Sequence, residues 1–182
     1  MTVAPSISEW YRFLVNYKRG HPNLWLTLVA LATKFLEIHA ERIEELLGGR
    51  YDLVTPVPSK RGISYALQPL QRVLRGIKAV EGTVAHILDY RSGGQLGRWQ
   101  YDPGAFDAGP ASCRSRRVVL VEDTWVTGAT ALSAAGALLD RGATSVAVLP
   151  LARCIDEEFW SSRAPEYLEA MRAPFDIEAW PR

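Results

Sequence analysis

Val118–Thr130 reads VVLVEDTWVTGAT, and this stretch decides the fold. Val118–Val121 is an uninterrupted apolar run, the pattern of a strand buried on both faces of a parallel sheet. Glu122 and Asp123 follow at once. Core strands avoid adjacent carboxylates because unpaired buried charge is costly. The two acids therefore mark the strand end, and something must meet them there. After them, Val126–Thr130 turns the chain into an alanine-rich run to Arg141, closed by Gly142. That run predicts a helix over 127–141.

The same alternation extends outward. Upstream, an aromatic, mixed segment (residues 5–20) leads into a long helix from about Pro22 to Leu47. Pro22 suits its first turn and Gly48-Gly49 its C-cap. A strand is expected over Tyr51–Val57 and a helix over about Ser64–Ile77, with Pro69 marking a late start or a kink. Thr83–Leu88 (TVAHIL) reads as a second strand. Residues 89–117 read as a long polar, glycine-rich loop, which in a compact domain is usually functional or disordered. Downstream, Ser145–Leu151 (SVAVLPL) is a fourth strand, and 152–182 is a short aromatic remainder. Strands alternating with helices predict an α/β domain, a mainly parallel sheet flanked by helices, with ligands bound beyond the carboxyl ends of the strands. The reading is one domain over 1–182, with a core of about 20–152 and a small annex from the chain ends, 1–20 and 153–182.

Composition narrows the class. The chain has 182 residues, 48% hydrophobic and 23% charged, as expected of a globular protein. A net charge of +1 gives no argument for nucleic acid or membrane binding. Cys113 and Cys154 lack metal or disulfide-scaffold spacing and fit a reducing cytosol. Leu24–Ala32 is apolar, but Thr33, Lys34 and Glu37 interrupt it short of the ~20 residues a membrane span needs. With no basic start and apolar run at the N-terminus, a cytoplasmic location is expected. His86 reads as a packed or edge residue, His21 as a helix start and His39 as part of a solvated helix face.

The turn Val126, Thr127, Gly128, Ala129, Thr130 has the make-up of an anion site. Free N–H groups of the following helix point into it, and the helix dipole assists. Gly128 permits close approach, and Thr127 and Thr130 carry hydroxyl donors. A phosphate monoester fits. Glu122 and Asp123 would repel a second phosphate, but they can accept hydrogen bonds from a sugar diol and help hold Mg²⁺, directly or through water. A ligand with a phosphate on one side and vicinal hydroxyls on the other is a ribose 5-phosphate. A Walker-type loop is excluded, because no GxxxxGK[ST] occurs.

An apolar strand, two acids, spacers and TGxT resembles the 5-phosphoribosyl-1-pyrophosphate (PRPP) signature of type I phosphoribosyltransferases. NYKRG (Asn16–Gly20), the long helix, DLVTPVPSKRG (Asp52–Gly62), Gln95 and GAF (Gly104–Phe106) are similar to ComF-like, competence-associated members. The chain departs from that branch in two ways. That branch often carries an amino-terminal cysteine-rich zinc module, which is not expected here, and Gly62-Ile63-Ser64-Tyr65 stands where a Gly-Phe-Asn-Gln run is usual.

The resemblance implies a type I phosphoribosyltransferase fold with a hood from the chain ends and a lid over about 89–117. It implies Mg²⁺-dependent transfer of a phosphoribosyl group from PRPP to a nitrogenous acceptor, with release of pyrophosphate. Ser59, Lys60, Arg61 and Gly62 take the pyrophosphate. Glu122 and Asp123 hold the ribose hydroxyls and Mg²⁺, and Val126–Thr130 the 5-phosphate. Arg91, Arg98 and Tyr101 close the lid. Arg153 stands at the acceptor, with Trp10, Tyr11, Cys154 and Trp160 around it. Val126 replaces the aspartate that purine-salvage relatives use as a base, which disfavours a hypoxanthine or guanine acceptor. Relatives often form homodimers. The rival reading is a non-catalytic PRPP- or nucleotide-binding protein, regulatory or accessory to DNA uptake. Single-stranded DNA binding through Arg114, Arg116 and Arg117 is disfavoured, because no aromatics interleave with them.

Overall fold

The computed structural model describes residues 2–5, 9–21, 23–59, 68–91, 96–172 and 178. In chain order it contains β1 (Thr2–Pro5), α1 (Glu9–Lys18), α2 (Leu24–Leu47), β2 (Leu53–Pro56), α3 (Pro69–Gly76) and β3 (Leu88–Tyr90). There follow β4 (Phe106–Ala108), α4 (Pro110–Cys113), β5 (Arg117–Glu122), α5 (Ala129–Asp140), β6 (Ser145–Pro150), β7 (Ala152–Ile155), α6 (Glu157–Arg163) and α7 (Pro165–Arg172).

Strand β5 is the axis of the molecule. It lies between β2 and β6, parallel to both, with Val119 opposite Val54 and Ala147. Alternation along it feeds two cores. Val118 and Leu120 pack with α5 and with Leu88, Phe106 and Ala108. Val119 and Val121 pack with Leu28, Leu36, Ile43 and Leu47 of α2 and with Val73 and Leu74 of α3. The sheet is thus covered by α2 and α3 on one face and by α5 with the β3–β4 ribbon on the other. Small side chains let α5 lie close, and Ala131, Ala134 and Leu138 are fully buried. Helix α2 buries Leu28, Ala32, Leu36, His39, Ile43 and Leu47, a single stripe at three- and four-residue spacing. His39 belongs to that stripe, buried against the Phe35 ring at 4.5 Å between centroids, and not to a solvated face. Pro69 stands in the first turn of α3, so it marks a helix start and not a kink.

Three expected elements differ. Thr83–Leu88 is not a sheet strand. Only Val84 bridges to Val54, through Val54 N–H to the Thr83 carbonyl (2.9 Å) and Ala85 N–H to the Val54 carbonyl (3.0 Å). The chain then leaves the edge, because His86 is exposed and pairs with Asp89 at 2.7 Å instead of packing. Residues 89–117 are not one long loop. They include β4 paired antiparallel with β3, a single 3-10 turn at Pro103–Ala105, and α4. Phe106 and Ala108 face inward and Asp107 outward, a period of two over three residues, which is too short to stand out in a sequence. Beyond β6 the chain forms β7, which pairs in parallel with β1 as a separate two-stranded sheet. Arg153 therefore lies on β7, not at the end of β6.

Candidate functional site

The site is built at the carboxyl end of β5. Glu122 is the last residue of the strand, opposite Pro150 of β6, and is 9% exposed. Asp123 follows just outside the sheet. Two adjoining clefts share Glu122, Thr124 and Thr130 as a common ridge. The first, about 260 Å³, is lined on the far side by Lys18, Asp123, Val57–Ser59 at the exit of β2, and Gln68–Leu70 at the start of α3. The second, about 380 Å³, is lined by Leu96, Arg98, Val126, Thr127 and Gly128. The parallel sheet creates this arrangement, because β2 and β5 end side by side and release their loops in the same direction.

The turn after β5 is rigid for a local reason. Gly128 has φ +83° and caps α5, and a side chain there would run into the Trp125 ring. Trp125 is itself held: its N–H donates to the Ala152 carbonyl and its carbonyl accepts from the Cys154 N–H, both at 2.8 Å. This extends the β7 pairing up to the acids. The Ala129 N–H donates to Thr127 Oγ1 at 3.3 Å, and that hydroxyl donates to the Arg98 carbonyl. The remaining first-turn N–H groups of α5 lack intrahelical acceptors, as at any helix start. Tyr90, missed by sequence reasoning, stands beside Thr130. Burial pushes its hydroxyl up to about 12, so it stays protonated.

Two ion pairs reach the site from the chain ends. The Lys18 ammonium, on the last residue of α1, contacts Asp123 Oδ1 at 2.9 Å. The Arg98 guanidinium contacts Asp156 Oδ2 at 2.9 Å, tying residues 96–101 to the start of α6. Lys18 lay within the quoted NYKRG without an assigned role. Its only signal was a cation at a helix end, and its partner is remote in sequence. Thr124 was also passed over. It lines both clefts, and its hydroxyl is buried without a hydrogen-bond partner among the described residues.

The structure brings Ser59, Glu122, Asp123, Val126, Thr127, Gly128, Thr130 and Arg98 to the clefts. Ala129 is the first residue of α5. Lys60, Arg61, Gly62 and Gln95 lie outside the described residues. Arg91 is exposed, its N–H donating to the Ala105 carbonyl at 2.9 Å, and it lines neither cleft. Tyr101, 62% exposed, leans on Gly136 of α5 and also lines neither. Arg153 is half-buried beside Trp125. Burial lowers its pKa, and it too is outside the clefts.

Among the described residues no three His, Cys, Asp or Glu side chains cluster as a metal cage. The adjacent carboxylates Glu122 and Asp123 fit the other mode. Mg²⁺ takes one or two protein carboxylates and fills its shell with water and ligand phosphate oxygens. Among the described residues no helix is long and apolar enough to cross a membrane.

No family model and no curated protein matches the chain. Solved structures do. The chain is similar to an allosteric regulatory enzyme of purine biosynthesis, at 21% identity over 71% of this chain and 26% of that one, with a TM-score of 0.46. It thus spans about a quarter of that enzyme. It is also similar to an HPRT in which an invariant aspartic acid is replaced by alanine (14% identity, 70% and 78% covered, TM-score 0.42). A third is the Trypanosoma cruzi hypoxanthine phosphoribosyl transferase (13% identity, 68% and 73% covered, TM-score 0.40).

Proposed function

We propose that the chain is a phosphoribosyltransferase that binds PRPP and displaces its pyrophosphate with a nitrogenous acceptor. The observation that carries this reading is the pair of acids where the clefts adjoin, Glu122 on their shared ridge and Asp123 in the first cleft. Glu122 and Asp123 stand at the end of a buried strand, with the turn into α5 on one side and the exit of β2 on the other. A ligand laid across this ridge has its phosphate at the α5 turn, its hydroxyls on the carboxylates and its diphosphate towards Ser59. Helix N–H groups and the dipole favour the phosphate, and the carboxylates accept from the vicinal hydroxyls.

Displacement at the anomeric carbon builds positive charge on the ring and negative charge on the leaving group. Fixed carboxylates beside the ring favour the first, and their placement needs no reorganisation during reaction. Glu122 and Asp123 are also the residues that would hold Mg²⁺, whose chemistry is neutralisation of the diphosphate. Leu96 and Arg98 line the phosphate-side cleft. With Val126 before TGxT, the turn offers no base to the acceptor.

Calorimetric titration of PRPP, with and without Mg²⁺, tests the reading. Asp123→Ala removes an acceptor, and affinity is expected to fall about tenfold or more, a loss of ~1–3 kcal/mol. Unchanged affinity in a folded variant overturns the site.

One observation favours a second reading, a PRPP- or nucleotide-binding accessory protein of the ComF-like kind that performs no transfer. Arg98 is paired with Asp156, and Thr127 is engaged with the Arg98 carbonyl, so each lines the cleft with a protein partner that it must exchange to meet a ligand. Pyrophosphate release on addition of a panel of nitrogenous bases separates the two, since only the transferase releases it.

A further inference from the structure

The ion pair between Lys18 and Asp123 is not explained by packing. Lys18 is 38% exposed and Asp123 25%, so neither charge needs the other to be tolerated by the fold. What distinguishes the pair is its place. Lys18 is the terminal residue of α1, and its side chain lines the same cleft as Ser59, Glu122 and Asp123. It is a cation brought by the N-terminal annex to the carboxylate that the proposed function assigns to ribose. The neighbouring Tyr17 hydroxyl is buried without a hydrogen-bond partner among the described residues. Burial, and then the negative charge of Asp123, keep it protonated. A donor is therefore in reserve in the field of Asp123.

We propose, resting on that reading, that Lys18 is a transferable cation. It is the counter-ion of Asp123 while the cleft is empty, and it moves onto the diphosphate oxygens when PRPP delivers its hydroxyls to the carboxylate. The cleft geometry allows the exchange without moving α1, because a lysine ammonium swings on a four-carbon stem. Charge drives it. A diphosphate carries several negative charges and attracts an ammonium more strongly than one carboxylate does. The exchange makes affinity depend on the diphosphate itself. A ligand with hydroxyls and a 5-phosphate but no diphosphate must compete with Lys18 for Asp123 and gives the lysine nowhere to go.

The test titrates PRPP and ribose 5-phosphate, each with Mg²⁺, into the wild type, Lys18→Gln and Lys18→Arg. A transferable cation predicts opposite responses. Lys18→Gln weakens PRPP about tenfold or more and tightens ribose 5-phosphate, whereas unchanged ribose 5-phosphate means no competition for Asp123 and overturns the exchange. Lys18→Arg keeps PRPP within about threefold, because the charge remains. Equal losses for both ligands mean that Lys18 only holds α1 in place, and tighter binding of both means that it only blocks the cleft; either overturns the proposal. Lys18→Met, which keeps the alkyl stem, serves as the neutral variant if Lys18→Gln does not fold. The failure of the underlying reading looks different, because the wild type then binds neither ligand.

Discussion

Gly128 shows how much one residue decides here. It combines a positive φ with the absence of a side chain under the Trp125 ring. Gly128→Ala meets both penalties, and a loss of about 1–3 kcal/mol is expected in urea unfolding. A loss below ~0.5 kcal/mol would show that Trp125 can move aside, which a shift in its fluorescence would register. Both roles were half-legible: TGAT between a strand and a helix announces a turn, but only the fold shows that a tryptophan three residues earlier closes over it. Lys18 was not legible at all, since its partner is decided by where α1 ends relative to β5.

At the scale of elements, the segment from β3 to α4 is a covering built on α5. Among the described residues, two of its attachments differ in kind. The Asp102 N–H donates to the fully buried Ser133 Oγ at 2.8 Å. Arg98 and Asp156 form an ion pair whose side chains are 57% and 35% exposed. Removing the buried acceptor strands a backbone donor, whereas water replaces much of what a surface pair supplies. Ser133→Ala is thus expected to cost about 1–3 kcal/mol and to speed hydrogen exchange at the Asp102 amide. Asp156→Ala is expected to cost less than about 1 kcal/mol. The reverse order would mean that the covering hangs from α6 and not from α5. None of this was readable from a polar, glycine-rich composition, because β3 and β4 owe their existence to each other and to the apolar face of α5.

Across the whole molecule, β5 joins two cores that face opposite sides of one sheet. Leu120 is fully buried in one and Val119 nearly so in the other. Leu120→Ala is expected to cost about 2–5 kcal/mol, and Val119→Ala also destabilises through its cavity. In both, circular dichroism and tryptophan fluorescence are expected to report one coincident transition; separated transitions would show that the cores unfold independently. The sequence by itself determined the alternation of strand and helix, the buried central strand, the acids at its end and the glycine turn that follows them. These follow from local patterns of burial, charge and glycine. Only the tertiary structure decided that Thr83–Leu88 leaves the sheet, that His39 is buried, that Arg153 belongs to a second sheet, and that Lys18 and Arg98 are held by Asp123 and Asp156. The reason is physical: a local pattern shows which groups must be buried or paired, whereas the partner is chosen by distance in space, and that is set only when the layers close.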